Sequence, residues 1–196
     1  MVPPTARKTH DARLRWTAWA AVTAVVAGAL SAGCTPAYDW REIRADDDRY
    51  RAMMPAKPER MSLPINLDGI PVSMTMRGAR VGDVAFTVAA AALPEDSPML
   101  RERAIAAMRS SMVRNITGRE LVAEALPVPV VDDGGRVSGS APGWRIEATG
   151  RAGDREVGMH AVFAARGGRA WQAVVVGPSP DREQARTFLD GFRITD

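Results

Sequence analysis

Residues 157–176, VGMHAVFAARGGRAWQAVVV, decide how this chain is read. Val157, Met159, Ala161 and Phe163 alternate with smaller or polar residues, the period of two that marks a strand with one apolar face. Gly167 and Gly168 then stand between Arg166 and Arg169, a two-residue connection suited to a tight hairpin because glycine takes left-handed backbone angles at no steric cost. Ala170 to Val176 follows as an almost unbroken apolar run, which places that strand centrally and buries both its faces.

The same reading extends outward. Upstream, Trp144, Ile146 and Ala148 form another alternating face. Downstream, Ser179-Pro180 predicts the opening of a helix, with Asp181 and Glu183 complementing its N-terminus and Ala185, Phe188, Leu189 and Phe192 as its buried stripe. Residues 132–143, DDGGRVSGSAPG, predict a mobile surface loop, and Glu120 to Val131 a strand interrupted by Pro127 and Pro129. A second helix is expected from Ser97 as cap and Pro98 at the first helical position. Ile105, Met108, Met112 and Ile116 supply its core face, and Gly118 its C-cap. Val72, Met74 and Met76, then Val84, Phe86 and Val88, predict a hairpin, preceded by an edge strand at Lys57–Leu63 between prolines. The order is strands, helix, strands, helix. It predicts an α+β fold: an antiparallel β-sheet with helices packed on its faces.

Two stretches resemble a known family. RYRAMMPAKPERMS (49–62) is similar to the entry strands of PsbP/Mog1-like domains, and AWQAVVVGPSPDREQARTFLDGFRI (170–194) resembles their closing strand and helix. The resemblance covers most of residues 50–194 and implies an α/β/α sandwich. Its motifs are apolar and structural, and it implies no activity.

The N-terminus carries a different kind of information. Arg7, Lys8, Arg13 and Arg15 precede an uncharged run from Trp16 to Ala32 that ends in Gly33 and Cys34. A basic segment, an apolar segment and small residues before a cut site make a secretory signal peptide. Leu30-Ser31-Ala32-Gly33-Cys34 resembles the lipobox of bacterial lipoproteins, with the leucine four residues ahead of the cysteine and Ser31 in the usual leucine position. That resemblance implies cleavage between Gly33 and Cys34 and acylation of Cys34, and Thr35 after it favours the outer membrane. The expected organisation is a signal peptide over 1–33, a lipidated cysteine and tether over 34–49, and a single domain over 50–196. The alternative is an uncleaved single-pass anchor, for which the apolar run is slightly short of the ~20 residues that span a bilayer.

Composition narrows the function classes. The leader holds four of the 26 bases and one of the 23 acids, leaving 22 of each in the rest of the chain. A neutral remainder offers no field for nucleic acid. Cys34 is the only cysteine, so no disulfide or thiolate metal site is available beyond it. His160 is the only histidine after the leader, with no G-x-S-x-G motif to serve. Asp46-Asp47-Asp48 lacks the alternate spacing of a cation loop and reads as a solvated run.

No catalytic residue, cofactor or metal ligand is expected. Trp40, Trp144 and Trp171 are candidate aromatic contacts, with Trp144 and Trp171 also suited to a core. The sequence therefore predicts a membrane-anchored periplasmic lipoprotein with a non-catalytic binding or scaffolding role, its partners being the membrane through Cys34 and an envelope protein or ligand. The alternatives are a small apolar-ligand binder in a pocket between sheet and helix and, last, a hydrolase of envelope polymers using a carboxylate pair such as Asp83 with Glu147.

Overall fold

The computed structural model describes residues Ala37–Asp196, and the leader, the Gly33–Cys34 cut site and Thr35 lie outside them. Ten strands and two helices form among the described residues: β1 (Arg41–Ala45), β2 (Tyr50–Met54), β3 (Glu59–Leu67), β4 (Ile70–Val81), β5 (Val84–Ala92), α1 (Pro98–Asn115), β6 (Arg119–Val131), β7 (Val137–Ala152), β8 (Arg155–Arg166), β9 (Arg169–Gly177), α2 (Arg182–Asp190) and β10 (Arg193–Thr195). A short 3-10 turn, Asp46–Asp48, joins β1 to β2. All ten strands belong to one sheet, in the order β1-β2-β10-β6-β7-β8-β9-β5-β4-β3, antiparallel except where β10 runs parallel to β6.

This overturns the expected α+β sandwich with helices packed on its faces. Strand makes up 58% of the described residues and helix 19%, in a curled half-barrel. The reason is dimensional. Ten strands at ~4.8 Å spacing make a sheet some 45 Å wide, whereas the 18 residues of α1 extend only about 27 Å at 1.5 Å per residue and the 9 of α2 half that. Two such helices do not make two layers, so the sheet covers itself by curling. β2 and β4 stand second from one end and second from the other, yet Arg77 of β4 donates to the Tyr50 hydroxyl of β2 at 3.3 Å.

The strand alternation splits the interior into two cores. Tyr50, Phe86, Trp171, Phe188 and Phe192 fill the concave side with α2, while Leu100, Ala104, Met108, Ile146, Met159 and Phe163 fill the convex side beneath α1. Along β9, Trp171, Ala173 and Val175 face the first core, and Ala170 and Val174 the second. That is the two-faced burial expected of this run. The tight turn is also as expected, with Gly167 at φ +56 between the paired Arg166 and Arg169. β3 ends the sheet order, where the prolines had confined it.

Three local readings change. The region expected as a mobile loop contributes only a short turn, and β7 already begins at Val137. Of the expected tether, residues 41–48 fold as β1 and the 3-10 turn, and Tyr38 and Trp40 pack on the concave core. The prolines of β6 do not interrupt it. Pro127 lies opposite Pro142, and two residues without an N–H can face each other only at a pair that exchanges no backbone bonds. The nitrogens of Pro127, and of Pro129 two residues on, therefore point away from β7. On that side β10 reaches only Val130 and Val131. The missing donors fall on an open edge and deter strand addition there. Replacing both prolines with threonine is expected to restore those donors and to increase concentration-dependent association over wild type in sedimentation velocity; unchanged sedimentation would contradict this reading.

A candidate binding cleft beside the second helix

The cleft forms where α2 crosses β7 and β8. Pro180 precedes the helix, but the cap is Asp181, whose carboxylate accepts from the Gln184 N–H at 2.9 Å; Ser179, the expected cap, sits in the loop with φ +50. Helical spacing then sends Ala185, Phe188 and Leu189 into the concave core and leaves Arg182, Arg186 and Asp190 four residues apart along one side. On β7, Arg145 and Glu147 are two residues apart and share a sheet face, and Glu147 lies directly opposite His160 of β8.

These groups meet around a hollow of about 250 Å³ lined by Arg145, Glu147, His160, Arg182, Arg186 and Leu189. Glu147 faces His160 Nδ1 at 3.6 Å and Arg182 at 3.5 Å. Asp190 accepts from Arg145 at 2.7 Å and from Arg186 at 3.3 Å. A second hollow of about 200 Å³ opens on the other side of the Arg145–Asp190 bridge, floored by Leu126, Val128, Val162, Leu189 and Phe192.

Burial pushes the pKa of His160 below its usual value; Glu147 opposes that, while Arg182 and Arg145 add to it. The imidazole is therefore neutral at neutral pH. The His160 signal of a proton NMR titration is expected to move with a midpoint below 6.5, and Glu147→Gln to lower it further by removing the one charge that raises it. A midpoint that rises in that variant would refute the assignment. The same depression means that the unfolded chain takes up a proton before the native one does. His160 thus leaves stability intact above about pH 6.5 and erodes it as pH falls toward its lowered native value.

Among the described residues, the lining of the cleft brings no serine, threonine or cysteine to the imidazole. A relay needs a hydroxyl or thiol on one nitrogen and a carboxylate on the other. The carboxylate pair considered from sequence does not assemble, since Asp83 pairs with Arg155 at 3.4 Å while Glu147 pairs with Arg182. Among the described residues, no three His, Cys, Asp or Glu side chains stand together as a metal site.

The three tryptophans separate. Trp171 is buried and donates through Nε1 to the Asp48 carbonyl at 2.7 Å. Trp40 stacks on Tyr38 with centroids 5.7 Å apart and reaches Gln184 of α2 at 3.3 Å. Trp144 is 37% exposed on the opposite face, where the Arg109 guanidinium lies 4.8 Å from its ring centroid. The acidic run also divides: Asp46 and Asp47 are exposed as expected, whereas Asp48 is 5% exposed and paired with Arg77, with Arg169 at 3.9 Å.

Sequence reasoning singled out His160 and Glu147 but missed Arg145, Arg182 and Arg186. The one available signal was Arg182, Arg186 and Asp190 at helical spacing on the helix whose apolar stripe was read correctly.

No family model and no curated protein matches this chain. Among solved structures, it is similar to a protein of unknown function from Pseudomonas aeruginosa, PA94, at 11% identity and a TM-score of 0.37 over 76% of this chain and 95% of that one. So distant a likeness carries no argument about function.

Proposed function

We propose that this chain is a lipoprotein of the bacterial cell envelope, held on the periplasmic face of a membrane by acyl chains on Cys34, with a folded domain that binds a ligand or envelope partner without transforming it. The carrying observation is the leader: a basic segment, seventeen uncharged residues and a single cysteine directly after Gly33. Acyl chains at ~0.8 kcal/mol per buried CH₂ give stable anchoring once more than one is present. By its resemblance to the lipoprotein signal, Thr35 favours the outer membrane. The binding half of the reading is supported by the cleft, which gathers charged side chains around an open volume.

A second reading, a binder of a small ligand with an apolar part, is favoured by the apolar floor of the adjoining hollow. Met108 and Met112, expected as part of the core face of α1, pack in and against the convex core and lie outside this hollow.

Labelling with radioactive or alkyne-tagged palmitate in a Gram-negative host tests the anchor. Wild type is expected to take the label and Cys34→Ala to lose it. Retention of the leader without label would instead make Trp16–Gly33 a single-pass anchor.

A further inference from the structure

Beside the Gly167-Gly168 turn a hollow of about 390 Å³ opens, lined by Arg49, Arg166, Arg169, Trp171 and Asp196. Arg166 and Arg169 stand directly opposite each other across the β8–β9 hairpin, on the concave face that Trp171 shares two residues on. Like charges facing each other in this way destabilise a strand pair. The nearby carboxylates do not cancel them. Asp196 accepts from Arg166 at 2.6 Å and from the Ser138 hydroxyl at 2.6 Å, which engages both of its oxygens. Asp48 stands 3.9 Å from Arg169, beyond hydrogen-bond reach, and is bonded to Arg77 instead. The Arg169 side chain remains 24% exposed. Arg49 is the third cation. It is exposed where it lines the hollow, and among the described residues its guanidinium has no acceptor. Its backbone is left-handed, with φ 53, an angle that glycine would take without steric cost. The Arg49 carbonyl accepts from the Thr195 N–H at 3.1 Å and so holds the residue at the edge of the hollow. An arginine kept where glycine is favoured, with no partner in the fold, has its donors free for a group from outside.

We propose that this hollow binds a phosphate monoester whose terminal oxygens accept from Arg49, Arg166 and Arg169. A carboxylate offers two oxygens and is filled by one guanidinium fork, whereas a phosphate monoester offers three terminal oxygens and nearly two charges. Three guanidiniums from separate places in the chain, before β2, at the end of β8 and at the start of β9, match the larger acceptor. The anion also screens the repulsion between Arg166 and Arg169. Even with the backbone carboxylate after Asp196 counted, the lining carries more cations than anions. Trp171 is 2% exposed and offers almost no ring surface, so recognition rests on the phosphate and not on the group it esterifies. The volume falls within the ~300–1,000 Å³ of small-ligand sites. This site shares no lining residue with the cleft beside α2 and does not rest on the anchor at Cys34, so its failure leaves both of those readings standing.

The test is calorimetric titration of the full chain in phosphatidylcholine nanodiscs, with empty nanodiscs as the blank, at about pH 8 where a monoester is a dianion. Glycerol 3-phosphate is expected to bind saturably, acetate at least about tenfold more weakly, and glycerol not at all. Arg49→Gly removes one donor set and relieves the left-handed angle. It is expected to weaken glycerol 3-phosphate at least about tenfold while the thermal unfolding midpoint holds or rises. Arg169→Gln is expected to weaken it to a similar extent. Dibutanoyl phosphatidate distinguishes the two sources of such a group: tighter binding than glycerol 3-phosphate marks a lipid headgroup, and equal binding a soluble ester. Should either variant not fold, the comparison of glycerol 3-phosphate with acetate on wild type decides the matter. No saturable binding of glycerol 3-phosphate, equal affinity for acetate, or wild-type affinity in both folded variants overturns the proposal.

Discussion

Replacing Asp48 with alanine is expected to destabilise the folded domain by about 3–5 kcal/mol, the cost of leaving one member of a buried ion pair without its partner. Asp48 sits in the turn between the first two strands of the sheet, and its carboxylate meets Arg77 of β4, second from the opposite edge. Arg77 is itself largely buried, lies 5.8 Å from the Tyr50 ring centroid and donates to the Tyr50 hydroxyl. Burial works against its charge, but the bonds to Asp48 and Tyr50 outweigh that and raise its pKa. The Asp48 carbonyl also accepts from Trp171 of the central strand β9. One residue therefore ties both ends of the curled sheet to its middle. Urea unfolding of wild type and Asp48→Ala reads the effect as a shift in midpoint at unchanged slope. Trp171→Phe loses the bond to the carbonyl and also leaves a cavity where the buried indole was larger, and should cost about 2–3 kcal/mol. An Asp48→Ala loss within ~0.5 kcal/mol, the range of ordinary surface substitutions, would show that the pair does not hold the curl.

Gly150→Ala is expected to destabilise by about 3 kcal/mol or more, at the upper end of what overpacking costs. A Cβ at residue 150 would stand 2.2 Å from the Ile116 carbonyl oxygen and 2.7 Å from the Gly118 Cα. Both obstacles are backbone, and the Arg151 N–H donates to that same Ile116 carbonyl at 2.5 Å. Neither side can withdraw without losing the junction between the end of α1 and β7. Gly118 faces the same constraint, with the Thr149 carbonyl 2.5 Å from its notional Cβ. Gly153 is the control: its φ is +61 with nothing within 4 Å, so alanine there should cost only the backbone preference, about 1 kcal/mol. Equal losses at the two positions would mean that the close approach is not what requires glycine at 150.

Gly118 also shows what sequence reading could and could not reach. A glycine after the last apolar position predicts a C-cap, yet Thr117 takes the left-handed angle, φ +45, and Gly118 is there for its missing side chain. Local rules carry local information. The Ser97 cap, which accepts from Leu100 N–H at 3.2 Å, and the Gly167-Gly168 turn depend on neighbours within a few positions and were legible. Period-two alternation marked the strands and the two-faced burial of β9. It holds nothing about how far a sheet curls, because curl depends on which distant strands close on each other.

Asp48 looked solvated because Arg77 is 29 positions away. Pro127 looked like an interruption because its tolerance depends on Pro142 opposite and on the shortness of β10. The cleft needed β7, β8 and α2 together. His160 and Glu147 could be named as titratable groups, but their facing each other follows from strand register, and the three arginines around them from helix placement.

The intact mass of the protein extracted from the envelope, with Cys34→Ala alongside, tests the proposed anchor at Cys34. The wild-type mass is expected to equal residues 34–196 plus acyl-glyceryl modification, with residues 1–33 absent, and the variant to show neither change. A wild-type mass equal to the full 196-residue chain would contradict it.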